Sequence, residues 1–146
     1  AAIELEALVD PEETSAYPFD IQASTISPAP MWLAMLDDLR ARAPVGKIAA
    51  RFHNGVAEMV SRVCTQIRRA RRQAFPDLPD NFTVILSGGV WQNFTLLAKT
   101  LPRLKQSGFT VYVHRWAPPN DGGLALGQAV VAYHKMRAGS STVTHG

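Results

Sequence analysis

The stretch Thr83-Val84-Ile85-Leu86-Ser87-Gly88-Gly89-Val90-Trp91-Gln92-Asn93 limits what this chain can fold into more than any other. Phe82 to Leu86 is apolar and β-branched, and reads as a fully buried strand. Two glycines turn the chain. A helix then opens at Val90 or Gln92 and runs through Leu96, Leu97, Leu101 and Leu104, with Gly108 closing it. The same grammar returns at once. Phe109 to His114 reads as a strand, Pro118-Pro119-Asn120-Asp121-Gly122-Gly123 as a turn, and Leu124 to Met136 as a helix. Ala125, Gly127, Ala129 and Ala132 suit that helix to close packing. This order predicts an α/β fold with parallel strands joined by right-handed crossovers. Such sheets hold ligands outside the carboxyl ends of their strands, so both turns are expected to face one phosphate-bearing ligand.

The residues ahead of this unit read as mainly helical. Ala1 to Val9 favours a short helix closed by Asp10-Pro11. Pro11 to Pro30, rich in Pro, Ser and Thr, reads as a loop with one or two short strands. Met31 to Ala41 carries a helical apolar stripe. Pro44 suits the first turn of a long helix to about Phe75, with Ile48, Phe52, Val56, Met59, Val60, Val63 and Ile67 spaced by ones, threes and fours. Its basic end, Arg68-Arg69-Ala70-Arg71-Arg72, is favoured by the helix dipole and reads as a solvated helix end rather than an RNA patch. The organisation expected is one domain: 1–79 mainly helical, 80–137 β-α-β-α, and 138–146 a frayed tail in which His145 is idle. The helical half is expected to pack on the α/β half.

Composition narrows the chemistry. A net charge of +3 over 146 residues is too weak to argue for nucleic acid. The one cysteine, Cys64, excludes a disulfide framework or a multi-cysteine zinc site, and reads as a buried helix residue rather than a nucleophile. No signal peptide and no membrane-spanning apolar run is present, so a soluble cytoplasmic protein is the default expectation.

Few residues are candidates for chemistry. At Ser87-Gly88-Gly89 two glycines let backbone approach a ligand, and the following helix points N–H groups at the same place, which favours an anion. Taken alone, adjacent glycines suit a tight turn at least as well, and no Walker-type Lys-Ser/Thr pair follows. Asn93 suits a ribose, phosphate or base contact and equally a place near a helix cap. Asp121 suits an N-cap, or a metal ligand bridging phosphate oxygens. His53 reads as a satisfied packing histidine, and His114 is isolated. Glu4 and Glu6 read as solvated helix charges.

Taken in order, Leu86-Ser87-Gly88-Gly89-Val90-Trp91-Gln92-Asn93 and Pro118-Pro119-Asn120-Asp121-Gly122-Gly123-Leu124-Ala125-Leu126-Gly127-Gln128-Ala129 resemble the C-terminal end of HypF carbamoyltransferases, the hydrogenase-maturation proteins. Ala1-Ala2-Ile3-Glu4-Leu5-Glu6-Ala7-Leu8, Tyr17-Pro18-Phe19-Asp20 and Arg51-Phe52-His53-Asn54 look like the same family, so the likeness covers nearly the whole chain. A more distant likeness is to the Kae1/TsaD tRNA-threonylcarbamoyl enzymes.

The resemblance implies the C-terminal lobe of an actin/Hsp70-type, Kae1-like nucleotide-binding fold. It implies formation of carbamoyl-adenylate from ATP and carbamoyl phosphate. The carbamoyl group then passes to the C-terminal cysteine of a HypE-type partner, for the cyanide ligand of [NiFe]-hydrogenase. It implies nucleotide contacts at Ser87, Gly88, Gly89 and Asn93, and Asp121 as ligand to a divalent metal (Fe, Zn or Mg). The family's other metal ligands, a His-x-x-x-His pair, belong to a first lobe absent here, as are its acylphosphatase-like, zinc-finger and YrdC-like parts. The chain is therefore expected to be part of a longer or split enzyme, inactive alone and without membrane or nucleic-acid partners. A non-catalytic interaction or scaffold domain keeping the fold is the alternative.

Overall fold

A computed structural model describes residues 2–22, 25–77, 79, 81–115 and 121–140, with backbone only at residues 2 and 138–140. The elements are α1 (Ala2–Ala7), β1 (Asp20–Gln22), β2 (Thr25–Ser27), α2 (Ala29–Arg40), α3 (Val45–Ala74), β3 (Thr83–Leu86), α4 (Phe94–Gln106), β4 (Thr110–Val113) and α5 (Leu124–Ser140). Short 3-10 turns at Gly89–Gln92 and Asp121–Gly123 precede α4 and α5. Two compact units result. One comprises Ala1–Ile85 with Asn93–Tyr112, the other Leu86–Gln92 with Val113–Gly146.

The first unit is built on α3, a thirty-residue helix whose apolar stripe runs from Ile48 to Ile67. Pro44 is its N-cap rather than its first helical residue, and Phe75 ends it. The buried residues of α3 are mostly small: Ala49, Ala50, Gly55 and Ala57 beside Ile48, His53 and Asn54. Small side chains let backbone come close. A Cβ at Gly55 would overlap the Tyr17 carbonyl oxygen, and one at Gly46 would lie 2.8 Å from the Leu8 carbonyl oxygen. The loop between α1 and β1 is sewn to α3 through Asp10 N–H to Gly46 O and Tyr17 N–H to Arg51 O. Asn54 Nδ2 adds bonds to the carbonyls of Glu13 and Ser15 at 3.0 and 2.8 Å.

A polar cluster pins α2 to the same loop. Tyr17 Oη donates to Asp38 at 2.6 Å, and Arg51 reaches Asp38 at 2.7 Å and Glu13 at 3.1 Å. Tyr17, Met31 and Ile48 form the apolar cluster alongside, with Phe19, Met35 and Phe52 against it.

β1 and β2 pair antiparallel, with Ile21 opposite Ile26, so the proline-rich loop contains the short strands expected of it. β3 and β4 pair as a second sheet, with α4 between them in sequence. Leu96, Thr100 and Leu104 repeat every four residues on the buried side of α4, which packs along α3.

Four expectations are corrected. β3 is not fully buried: Ile85 is 69% exposed and only Leu86 is buried, because the two-stranded sheet covers alternate side chains on one face. The helix after the glycines does not open at Val90 or Gln92; the chain makes a 3-10 turn and starts α4 at Phe94. The basic end of α3 is not simply solvated. Arg68 donates to Ser107 O at 2.7 Å and lies over the Phe109 ring, and Arg71 lies over Phe82. Finally, α5 continues four residues past Met136, and the side chains described along it are exposed; a Cβ at Gly127 would touch none of the described residues within 4 Å. Gly108 does close α4, at φ +80°. Pro118 to Asn120 and residues 141–146 lie outside the described residues, His145 among them.

Candidate functional site

In the second unit, Ser87 follows β3 directly and His114 follows β4 directly, so the carboxyl ends of the two strands lie together. The Ser87 Oγ and His114 Nε2 are 3.0 Å apart, an exposed contact. His114, isolated in sequence, thus has a partner across the sheet. Gly88 turns the chain at φ +103°, a conformation that side chains resist, and none of the described residues comes within 4 Å of where its Cβ would be. Gly89 opens the 3-10 turn, in which Trp91 N–H donates to Gly88 O at 3.2 Å. Backbone at Ser87, Gly88 and Gly89 is therefore approachable from open space.

In the first unit, Asn93 is the N-cap of α4. Its Oδ1 accepts from Leu96 N–H at 2.7 Å. Its Nδ2 lies 2.9 Å from His53 Nε2, and His53 Nδ1 lies 2.8 Å from the Ala49 carbonyl oxygen. His53 is 2% exposed, with both ring nitrogens partnered, as a packing histidine should be. The next N–H of α4, on Thr95, is taken by the Glu6 carboxylate at 2.9 Å. Glu6 is therefore not a solvated helix charge: the positive end of α4 holds it. Sequence reading missed both Glu6 and the His53–Asn93 link. Neither has a local signal, since the partners lie 89 and 40 positions apart.

Asp121 is exposed at the start of the turn into α5. Among the described residues no group of three His, Cys, Asp or Glu side chains could hold a metal ion. One carboxylate fits a hard or borderline cation as a single donor, and the remaining donors would have to come from elsewhere. Cys64 is half-buried and burial pushes its thiol up, away from reactivity. No helix among the described residues is long and apolar enough to cross a membrane.

Comparison with known proteins points one way. Residues 1–128 match the family model for the second subdomain of the carbamoyltransferase Kae1-like domain. The chain is 33% identical over 131 residues to the carbamoyltransferase HypF of Synechocystis sp., covering 88% of this chain and 16% of that protein. It is 34% identical over 137 residues to HypF of Rhizobium leguminosarum bv. viciae, covering 90% of this chain and 16% of that protein. Among solved structures, a full-length HypF in a phosphate- and nucleotide-bound form superimposes with TM-score 0.77 at 34% identity, over 90% of this chain and 17% of that one. HypF of T. kodakarensis gives TM-score 0.69 at 20% identity, over 94% and 17%, a likeness of fold alone. The chain spans about one-sixth of the length of these relatives.

Proposed function

The chain belongs to the HypF carbamoyltransferases, as the second subdomain of their Kae1-like domain, and we propose that it forms one wall of the nucleotide site of such an enzyme. In this reading the intact protein forms carbamoyl-adenylate from carbamoyl phosphate and ATP, releasing phosphate and pyrophosphate. The carbamoyl group then passes to the C-terminal cysteine thiol of a HypE-type partner, which loses its proton as AMP leaves. The observation that carries the reading is the turn after β3, where Gly88 at φ +103° leaves backbone open to a ligand beside the Ser87 hydroxyl. Backbone N–H groups there would bind phosphate oxygens without a charged side chain, and Ser87 Oγ would add a hydroxyl. Asn93 would contribute an amide donor.

Asp121 would supply one oxygen to a divalent cation, which when bound would neutralise phosphate charge. The protein's own part is to bind and orient the nucleotide, and the work of positioning falls on rigid backbone.

Isothermal titration of AMP into the intact protein tests this. Binding is expected, and Gly88→Val should weaken it at least about tenfold, because a β-branched residue resists positive φ and its side chain fills the open space. Asp121→Ala should lower bound metal measured by elemental analysis. AMP binding unaffected by Gly88→Val would remove the turn from the site.

A further inference from the structure

We infer that His53 is a positioning residue for Asn93: it fixes the asparagine amide in the one orientation that both caps α4 and keeps an N–H for the ligand. This rests on the nucleotide reading above.

The orientation follows from which atoms can donate. Leu96 N–H can only donate, so the Asn93 atom 2.7 Å from it is the oxygen. The Asn93 amide nitrogen therefore faces His53, and being a donor it requires a bare Nε2 at 2.9 Å. The imidazole proton then sits on Nδ1, where the Ala49 carbonyl oxygen, which can only accept, lies at 2.8 Å. Every bond in the chain from Leu96 N–H to Ala49 O runs the same way. The second Nδ2 hydrogen of Asn93 has no acceptor among the described residues. An acceptor oxygen on a ribose or phosphate is the chemistry that would take it. His53 itself is buried, so it would act through Asn93. Turning the amide over would set Nδ2 against the Leu96 N–H, two donors face to face, so the lock and the cap stand or fall together.

The test uses the intact protein. Nitrogen-15 NMR of labelled histidine in the wild type should show His53 as the Nδ1–H tautomer; an Nε2–H tautomer overturns the inference without any variant. His53→Leu should lower AMP affinity about tenfold, and His53→Gln, whose amide oxygen can replace Nε2 as acceptor, should recover most of it. Thermal melting accompanies both, and the Gln variant, which keeps a polar partner, covers the case in which Leu fails to fold. A folded His53→Leu that binds AMP as the wild type does overturns the inference and leaves the nucleotide reading intact. Absence of AMP binding by the wild type overturns both.

Discussion

Tyr17 shows how a single hydroxyl organises its surroundings. Its Oη donates to Asp38, which also holds Arg51, and Arg51 in turn holds Glu13. A hydrogen bond to a charged acceptor contributes about 1.5–3 kcal/mol when the group is shielded from water. Tyr17→Phe keeps the ring in its cluster and removes that bond, so urea unfolding should show a loss of about 1–2 kcal/mol. Gly55 makes a different kind of demand. Alanine there gains about 1 kcal/mol of helix propensity, but its methyl group meets the carbonyl oxygen of Tyr17, a residue whose backbone N–H is tied to the Arg51 carbonyl oxygen. Overpacking of that kind costs about 1–3 kcal/mol or more, so the steric cost wins and Gly55→Ala should lower the melting temperature.

Among the elements, the start of α4 is the most instructive. Its first turn is closed by three groups from three parts of the chain: Asn93, Glu6 of α1, and His53 of α3 behind Asn93. Asn93→Ala should cost about 1 kcal/mol for the cap, plus the loss of the His53 contact. Asn93→Asp keeps a capping oxygen but turns a second oxygen toward the bare His53 Nε2, so it should retain the cap, lose the His53 contact as the alanine does, and bind AMP less tightly for want of the N–H. Calorimetry and titration on the same samples separate the two effects.

The sequence made α3 legible because its apolar spacing runs unbroken from Ile48 to Ile67. The strand–glycine–helix order was legible too. The exact opening of α4 was not, since Val90 and Trp91 are apolar enough to extend a helical pattern, while the positive φ at Gly88 and the cap at Asn93 set the boundary. Nor did the sequence reveal the cover on β3. An apolar run shows what a strand can bury, and the two-stranded sheet leaves Ile85 open. The roles of Arg68 and Arg71 were hidden for a similar reason: Phe109 lies far along the chain from Arg68, and Phe82 lies beyond the end of the helix that carries Arg71.

At the scale of the molecule, the same polar cluster sets both edges of the pH range. Hydrogen bonds from Tyr17 and then Arg51 hold the Asp38 carboxyl below its usual range, and the Ser15 backbone N–H does most to lower that of Glu13. Groups with depressed values in the fold stabilise it above their unfolded range, and the benefit is lost as pH falls below about 4. Tyr17 is pushed up, by burial first and the Asp38 bond second. Its contribution is present below the ordinary tyrosine range and is lost above about pH 10, where the unfolded phenol ionises. Urea midpoints measured across pH should therefore fall at both ends, and Tyr17→Phe should flatten the alkaline end while softening the acid one.

The contact between Glu6 and Thr95 carries a consequence for synthesis. The 89 positions that separate Glu6 from Thr95 must be synthesised before the carboxylate can meet its amide. Until then the opening turn of α4 lacks one of its stabilising groups, so nascent chains halted before Thr95 should expose α1 to proteases that spare the finished protein.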